Sequence, residues 1–272
     1  MIKLKFINIG LILKIMESEY FNNCIEKIKE LTSKKYVFFT KRGNSSIKEA
    51  LKYSREKYDK LYFPDQGGWL TYEQFAKKFK FDYEIIKTNL SLYPNNLNLN
   101  DNSSLLINSM PAYSFLINLN DINFNGFIIN DVSASIGTEN AKYGDIIIGS
   151  FGRWKPINLG SGGFIATNLD DFKIDNNLDI DFKELLNKLN NLNNRLNFIK
   201  KIRNKVKNDL NNYDIIHKDY EGLNLIVKFN NDEEKEKLIN YCLENNLEYT
   251  LCPMDIRVNI DAISIEIKRL EE

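Results

Sequence analysis

Lys155 stands apart from the many other lysines of this chain. It lies in SFGRWKPINLGSGGF, between two strand-like apolar runs, GDIIIGSF and GGFIAT, and just ahead of Gly160, Gly162 and Gly163. A lysine in a glycine-rich turn between two buried strands is either a solvated loop residue or a reactive amine in a site. Asp131 ends the apolar run FIIN, so a carboxylate falls at the carboxyl end of a sheet strand, the edge where open α/β sheets bind ligands. Ser150 lies near the end of the next strand. Gly43, Asn44, Ser45 and Ser46 stand where an earlier strand opens a helix, and the free N–H groups and dipole of a helix N-terminus cradle phosphate. Trp69 follows the Gly67-Gly68 turn after another strand and offers a flat aromatic face.

An amine for an aldehyde, a carboxylate for a ring nitrogen, a phosphate cradle and a stacking ring together meet the needs of pyridoxal 5'-phosphate (PLP). An Asp beside the ring nitrogen keeps it protonated. A desolvated lysine among cations becomes a nucleophile, and the same amine can later move a proton as general acid and base. Each piece has an ordinary alternative: a turn or helix-cap carboxylate for Asp131, turn chemistry for Ser150, Ser45 and Asn44, and a core or subunit-contact aromatic for Trp69. The ordered set carries the signal.

The elements that must position these residues are legible as runs. YVFFT, KLYFPD, YEIIKTN, SSLLINSM, GFIIND, GDIIIGSF and GGFIAT read as strands. SEYFNNCIEKIKELTSKK, GNSSIKEALKYSREK and TYEQFAKKF carry apolar residues at helical spacing. Near-continuous apolar strands alternating with helices predict α/β architecture: a mostly parallel sheet flanked by helices on both faces. A long helical pattern runs from about Asp181 to Asn211. NLIVKFN, DEEKEKLINYCLENN and AISIEIKRL then make a small α+β unit. The boundary is placed in the polar stretch near residues 168 to 180, which gives a large domain over 1–170, with residues 1–15 left open, and a small C-terminal domain over 171–272.

Composition bounds the function. Lys+Arg and Asp+Glu both total 37, so no net positive charge marks a nucleic-acid binder. Three cysteines, Cys24, Cys242 and Cys252, form neither a disulfide framework nor a zinc spacing, and with one histidine, His217, no multi-histidine metal site can form. The thiols fit a reducing, cytoplasmic setting. KLKFINIGLILKI is too short, and too interrupted by Lys3, Lys5 and Lys14, to span a bilayer. It reads as a strand or as an extension ahead of a start at Met16. No membrane partner is expected.

NDVSASIG followed by GDIIIGSFGRWKPINLGSGGFIAT resembles the DegT/StrS-type aminotransferases, a branch of the fold-type-I PLP enzymes. That family has an Asp-containing segment ending in glycine, a strand with a Ser-Phe pair, a lysine, and a Gly-x-Gly-Gly turn. Asp131 and Gly137, then Ser150, Phe151 and Lys155, then Gly160, Gly162 and Gly163 match it in order. The match extends over about residues 36 to 167. The resemblance implies that Lys155 is the Schiff-base lysine, that Asp131 holds the pyridinium nitrogen and that Ser150 binds the phosphate. KRGNSSIKEAL is similar to the family's phosphate turn, which puts Asn44 and Ser45 at the phosphate. PDQGGWLTY resembles the motif whose aromatic residue, here Trp69, stacks on the ring.

The resemblance further implies a homodimer that moves an amino group from an amino acid donor to a keto acceptor such as a nucleotide sugar. The chain departs from the family at Ala134, where His or Gln is usual, and at Ser161, where Glu is usual. It also lacks the family's later Asn-rich motif, and its C-terminal part is shorter. A degenerate, non-catalytic binding relative is therefore one alternative. A lyase or desulfurase-like reaction is another, with Cys252 as its loop-like acceptor. Arg153 could neutralise phosphate. Arg257, in CPMDIRVNI, could bind a carboxylate. A surface role is the alternative for each.

Overall fold

Seven five-residue strands, most of them unbroken apolar runs, build the central sheet: β1 (Tyr36–Thr40), β2 (Lys60–Pro64), β3 (Asp82–Ile86), β4 (Ser104–Asn108), β5 (Phe127–Asp131), β6 (Ile146–Ser150) and β7 (Gly163–Thr167). The structure, a computed structural model, describes residues 18–94, 97, 99–119, 122–174, 179–254 and 258–271. Residues 1–15 and Arg257 therefore lie outside the described residues. The strand order is β1-β7-β6-β5-β4-β2-β3. Neighbours from β6 to β3 pair parallel, and β7 alone runs against both of its neighbours.

Both faces of this sheet are covered along its middle, which is why the inner strands β2, β4, β5, β6 and β7 are nearly continuous apolar runs, while edge strand β3, DYEII, is mostly exposed. Ile146 and Ile148 of β6 pack in one cluster with Ile47, Ala50 and Leu51 of helix α2 (Gly43–Arg55) and Tyr72 and Ala76 of α3 (Thr71–Lys78). Ile147 points the other way, into a cluster with Cys24 and Ile28 of α1 (residues 18–32) and Leu185 and Leu189 of α4 (Phe182–Asn190). The expected α/β layering, with a mainly parallel sheet between helices, is the observed one.

The predicted single helix from Asp181 to Asn211 is two helices. Asn191 leaves helical geometry between α4 and α5 (Leu192–Asp209). Asparagine is a weak helix former, and the break lets each half bury a different surface. Leu185 and Leu189 stay on the large sheet, while Ile199 and Val206 turn to the C-terminal sheet. That second sheet is antiparallel, in the order β8-β10-β9, and is made of β8 (Leu225–Lys228), β9 (Tyr249–Cys252) and β10 (Ala262–Ile265), with α6 (Asp232–Glu244) against it. The run AISIEIKRL is a strand only to Ile265, and Ile267–Arg269 close into a 3-10 turn. Cys252 ends strand β9 and is 5% exposed, so it is not the loop thiol that a desulfurase-like acceptor needs.

Candidate active site

Sheet register brings the predicted residues to one edge. Asp131, the last residue of β5, pairs with Asn108, the last residue of β4, while Ser150 closes β6 opposite Gly163, the first residue of β7. A cleft of about 560 Å³ opens there. Lys155, Asp131, Ser150, Asn44 and Trp69 all line it. Ser45 does not line it, and its backbone N–H is turned to the Arg42 carbonyl at 2.9 Å.

The α2 N-terminus meets Ser150. A Cβ added to Gly43 would lie 2.6 Å from the Ser150 Cβ, so only glycine allows this approach. No side chain caps the helix and its first turn holds no acid. Its leading N–H groups and the Ser150 hydroxyl thus make an anion cradle, with Arg42 and Arg153 also lining the cleft. The glycine turn after Lys155 is pinned to the same place, because the Gly162 N–H donates to the Lys41 carbonyl at 3.0 Å. Gly162 has φ 91°, which favours glycine.

Asp131 is 5% exposed and its two oxygens are held separately. Oδ2 accepts from the Tyr72 hydroxyl at 2.7 Å, and Oδ1 accepts from the Ser133 N–H at 2.9 Å. Burial, then the neighbouring Asp131 charge, push the Tyr72 phenol well above its ordinary range, so it stays a donor. The Trp69 indole N–H donates to Asn44 Oδ1 at 2.8 Å, which joins two of the predicted residues. Lys155 donates to the Tyr113 hydroxyl, and its Nζ lies 5.3 Å from the Trp69 ring centroid.

Three contributors were not expected from sequence. Tyr72 was read only as part of a helix; a phenol on a buried helix face needs a polar partner, and that is the signal that could have flagged it. Tyr113 follows Pro111 in a short 3-10 turn and has a left-handed φ of 60°, as Ala112 before it has 50°. Lys268 was placed in a strand, although Glu266 and Lys268 in one apolar run are residues that bury only when paired. They do pair, at 0% and 3% side-chain exposure. Lys268 lines the cleft. Ala134, 1% exposed, brings only a methyl group to it. His217 lies outside the cleft, its Nε2 3.0 Å from the Leu90 carbonyl oxygen.

The architecture, a mainly parallel sheet between helices with a small antiparallel sheet beside it, is one shared with solved PLP-dependent enzymes. The structure is similar to E. coli GDP-4-keto-6-deoxy-D-mannose-3-dehydratase with bound hydrated PLP, at TM-score 0.72 and 12% identity over 93% of this chain and 90% of that one. It is similar to a DegT DnrJ EryC1 StrS aminotransferase from Brucella abortus, at TM-score 0.69 and 14% identity over 93% and 86%. It is also similar to ureidoglycine-glyoxylate aminotransferase from Bacillus subtilis, at TM-score 0.68 and 10% identity over 91% and 78%. At these identities the likeness is one of fold. Residues 189–272 match the MJ1341 family C-terminal domain. No curated protein matches the chain.

Proposed function

We propose that the cleft binds PLP and that the chain is an aminotransferase of the DegT/StrS kind. One observation carries this reading: Lys155, Asp131, Trp69 and Ser150 beside the α2 N-terminus, chosen from sequence as a cofactor set, line one cleft. The donor set fits the group. Ser150 and the uncapped α2 N-terminus would hold its phosphate, Asp131 its ring nitrogen, Trp69 its ring face and Lys155 its aldehyde carbon. When bound, PLP supplies an aldehyde to attach to an amine and a ring that accepts electron density from the substrate carbon.

The residues themselves do the rest. Asp131 places its carboxyl group at the strand edge, and Tyr72 and Ser133 orient it. Lys155 is the base and acid that moves a proton at its Nζ, held near the cleft by Tyr113. Arg42 and Arg153 give the cleft a cationic lining suited to an amino acid carboxylate or a phosphate. In this reading residues 1–170 bind the cofactor and residues 171–272 complete the cleft. The protein works in the cytoplasm on an amino donor such as glutamate and a keto acceptor, such as a keto sugar carried on a nucleotide.

The assembly proposed is a homodimer. Trp69, Leu70, Trp154 and Met254, 36% to 54% exposed, give the cleft an apolar rim that a second copy would cover. Sedimentation of Leu70→Asp should show monomer where the parent is dimer; an unchanged mass sinks the rim as the interface.

A second reading, a non-catalytic binder, is favoured by Ala134, whose methyl group stands where the family usually carries a hydrogen-bonding side chain. Single-turnover assay of the PLP-loaded chain with glutamate separates the two. The first reading expects one 2-oxoglutarate per site and none from Lys155→Ala. If PLP binds and no tested amino acid yields its keto acid, the second reading stands.

A further inference from the structure

Tyr113 is gripped from two sides. Its hydroxyl accepts from Lys155, while the C-terminal unit holds its backbone and its ring. The N–H groups of Leu223 and Asn224 both donate to the Tyr113 carbonyl, each at 2.8 Å. Lys268 Nζ lies 4.3 Å from the Tyr113 ring centroid, a cation–π distance. Tyr113 and Ala112 are 7% and 1% exposed and both left-handed, a conformation that persists in non-glycine residues only where the surroundings over-determine it.

Behind Lys268 is a buried acid. Glu266, 1% exposed, accepts from Lys268, from the Asn224 amide at 3.0 Å and from the Ser264 hydroxyl at 2.9 Å. Lys155 Nζ and Lys268 Nζ lie within 4.4 Å and 4.3 Å of the same ring centroid. The two nitrogens are therefore closer than the roughly 10 Å over which salt screens exposed charges.

We propose that the buried Glu266–Lys268 pair, held against Tyr113, sets the protonation of Lys155 from the C-terminal unit. Lys268 repels a second ammonium, Glu266 offsets that repulsion, and Tyr113 fixes the amine between them. The other charges facing the cleft are Asp131 from β5, Arg42 ahead of α2, Arg153 from the Lys155 loop and Arg269 beside Lys268. Of these, Arg269 is tied to Glu248 at 2.6 Å, and its Nε lies 3.6 Å from Glu266. Glu266 and Lys268 are positioning residues here. Their importance for catalysis rests on the reading of Lys155 given above, but their effect on the amine does not.

The test uses the full chain without cofactor. Trinitrobenzenesulfonate labels neutral amines, and its rate at Lys155 is read by mass spectrometry of the Lys155 peptide across pH. Glu266→Gln removes the negative charge that offsets Lys268, so labelling at fixed pH should rise about two- to fivefold, as expected for a unit charge at this range in a wet cleft. Lys268→Met removes the repelling charge, so labelling should fall by a similar factor. Lys268→Arg, which keeps the charge, should label like the parent.

A structural disturbance would not move the first two variants in opposite directions. Shifts of the same sign, or no shift in chains with native circular dichroism, overturn the proposal. Should Lys268→Met not fold, Glu266→Gln and Tyr113→Phe carry the test. Each should speed labelling, the second by removing the acceptor of the Lys155 ammonium, and a slower or unchanged rate in either contradicts the proposal. Because labelling needs no PLP, a chain that fails to bind the cofactor still answers this question.

Discussion

The Tyr72 hydroxyl donates to Asp131 Oδ2 at 2.7 Å, linking the second residue of α3 to the last residue of β5. Neither residue is more than 5% exposed. Helix α3 therefore does more than cover the sheet, because it fixes one oxygen of the carboxylate from behind and leaves Asp131 oriented toward the cleft.

Tyr72→Phe takes that donor away and leaves a buried carboxylate short of a hydrogen bond. The loss should be about 1–3 kcal/mol of unfolding free energy, the usual cost of an unsatisfied buried group. Urea denaturation of the two proteins measures it. A change within error would mean that water or another donor replaces the phenol.

Gly43→Ala places a methyl group 2.6 Å from the Ser150 Cβ and 2.8 Å from its Oγ. The α2 N-terminus must then back away from β6. Affinity for PLP and for inorganic phosphate should fall at least about tenfold, equal to about 1.4 kcal/mol, while pyridoxal without its phosphate is much less affected. Equal losses for both ligands would place the phosphate elsewhere.

Alkaline stability should carry the signature of Cys24. Burial pushes this thiol from its ordinary 9.0 up to about 12. Below pH 9 both folded and unfolded chains hold the proton. Above it the unfolded chain releases the proton first and gains, so stability is lost progressively between pH 9 and about 12. Cys24→Ala removes this share. Its melting temperature should fall less steeply than the parent's over that window, whatever its value at neutral pH. Other raised groups, such as Tyr93 and Cys242, act in both proteins and cancel in the comparison.

The chain has two tryptophans, and both line the cleft. In Trp154→Phe the remaining indole is Trp69, which is bonded to Asn44. PLP should quench its emission with a saturable, single-site curve. No quenching in a variant that still binds PLP would remove Trp69 from the ring face.

The five inner strands of the large sheet were legible because each is buried on two sides and so reads as an apolar run, as IIIGS and FIIND do, while the edge strands β1 and β3 are more exposed. Strand β9 was not, because YTLC lies at a sheet edge with only Cys252 buried and leaves no pattern in its residue types. The same logic divides the site. Lys155, Asp131 and Ser150 sit at or just beyond strand ends, and a parallel sheet brings strand ends together, so spacing along the chain was enough. Tyr72 is 59 residues from Asp131 and Tyr113 is 42 from Lys155. Their meetings depend on how α3 and the turn after β4 pack, which no local run of residues encodes. The pairing of Glu266 with Lys268 was visible only as an anomaly, two charges in an apolar stretch.

The most direct test of the account is borohydride reduction of the chain after incubation with PLP, followed by peptide mapping. The account predicts a yellow protein whose colour is lost on reduction, with one phosphopyridoxyl group per chain on Lys155 and none on Lys155→Ala. A protein that stays colourless, or one labelled on surface lysines to the same extent in both, would contradict the assignment of Lys155 as the amine that carries the cofactor.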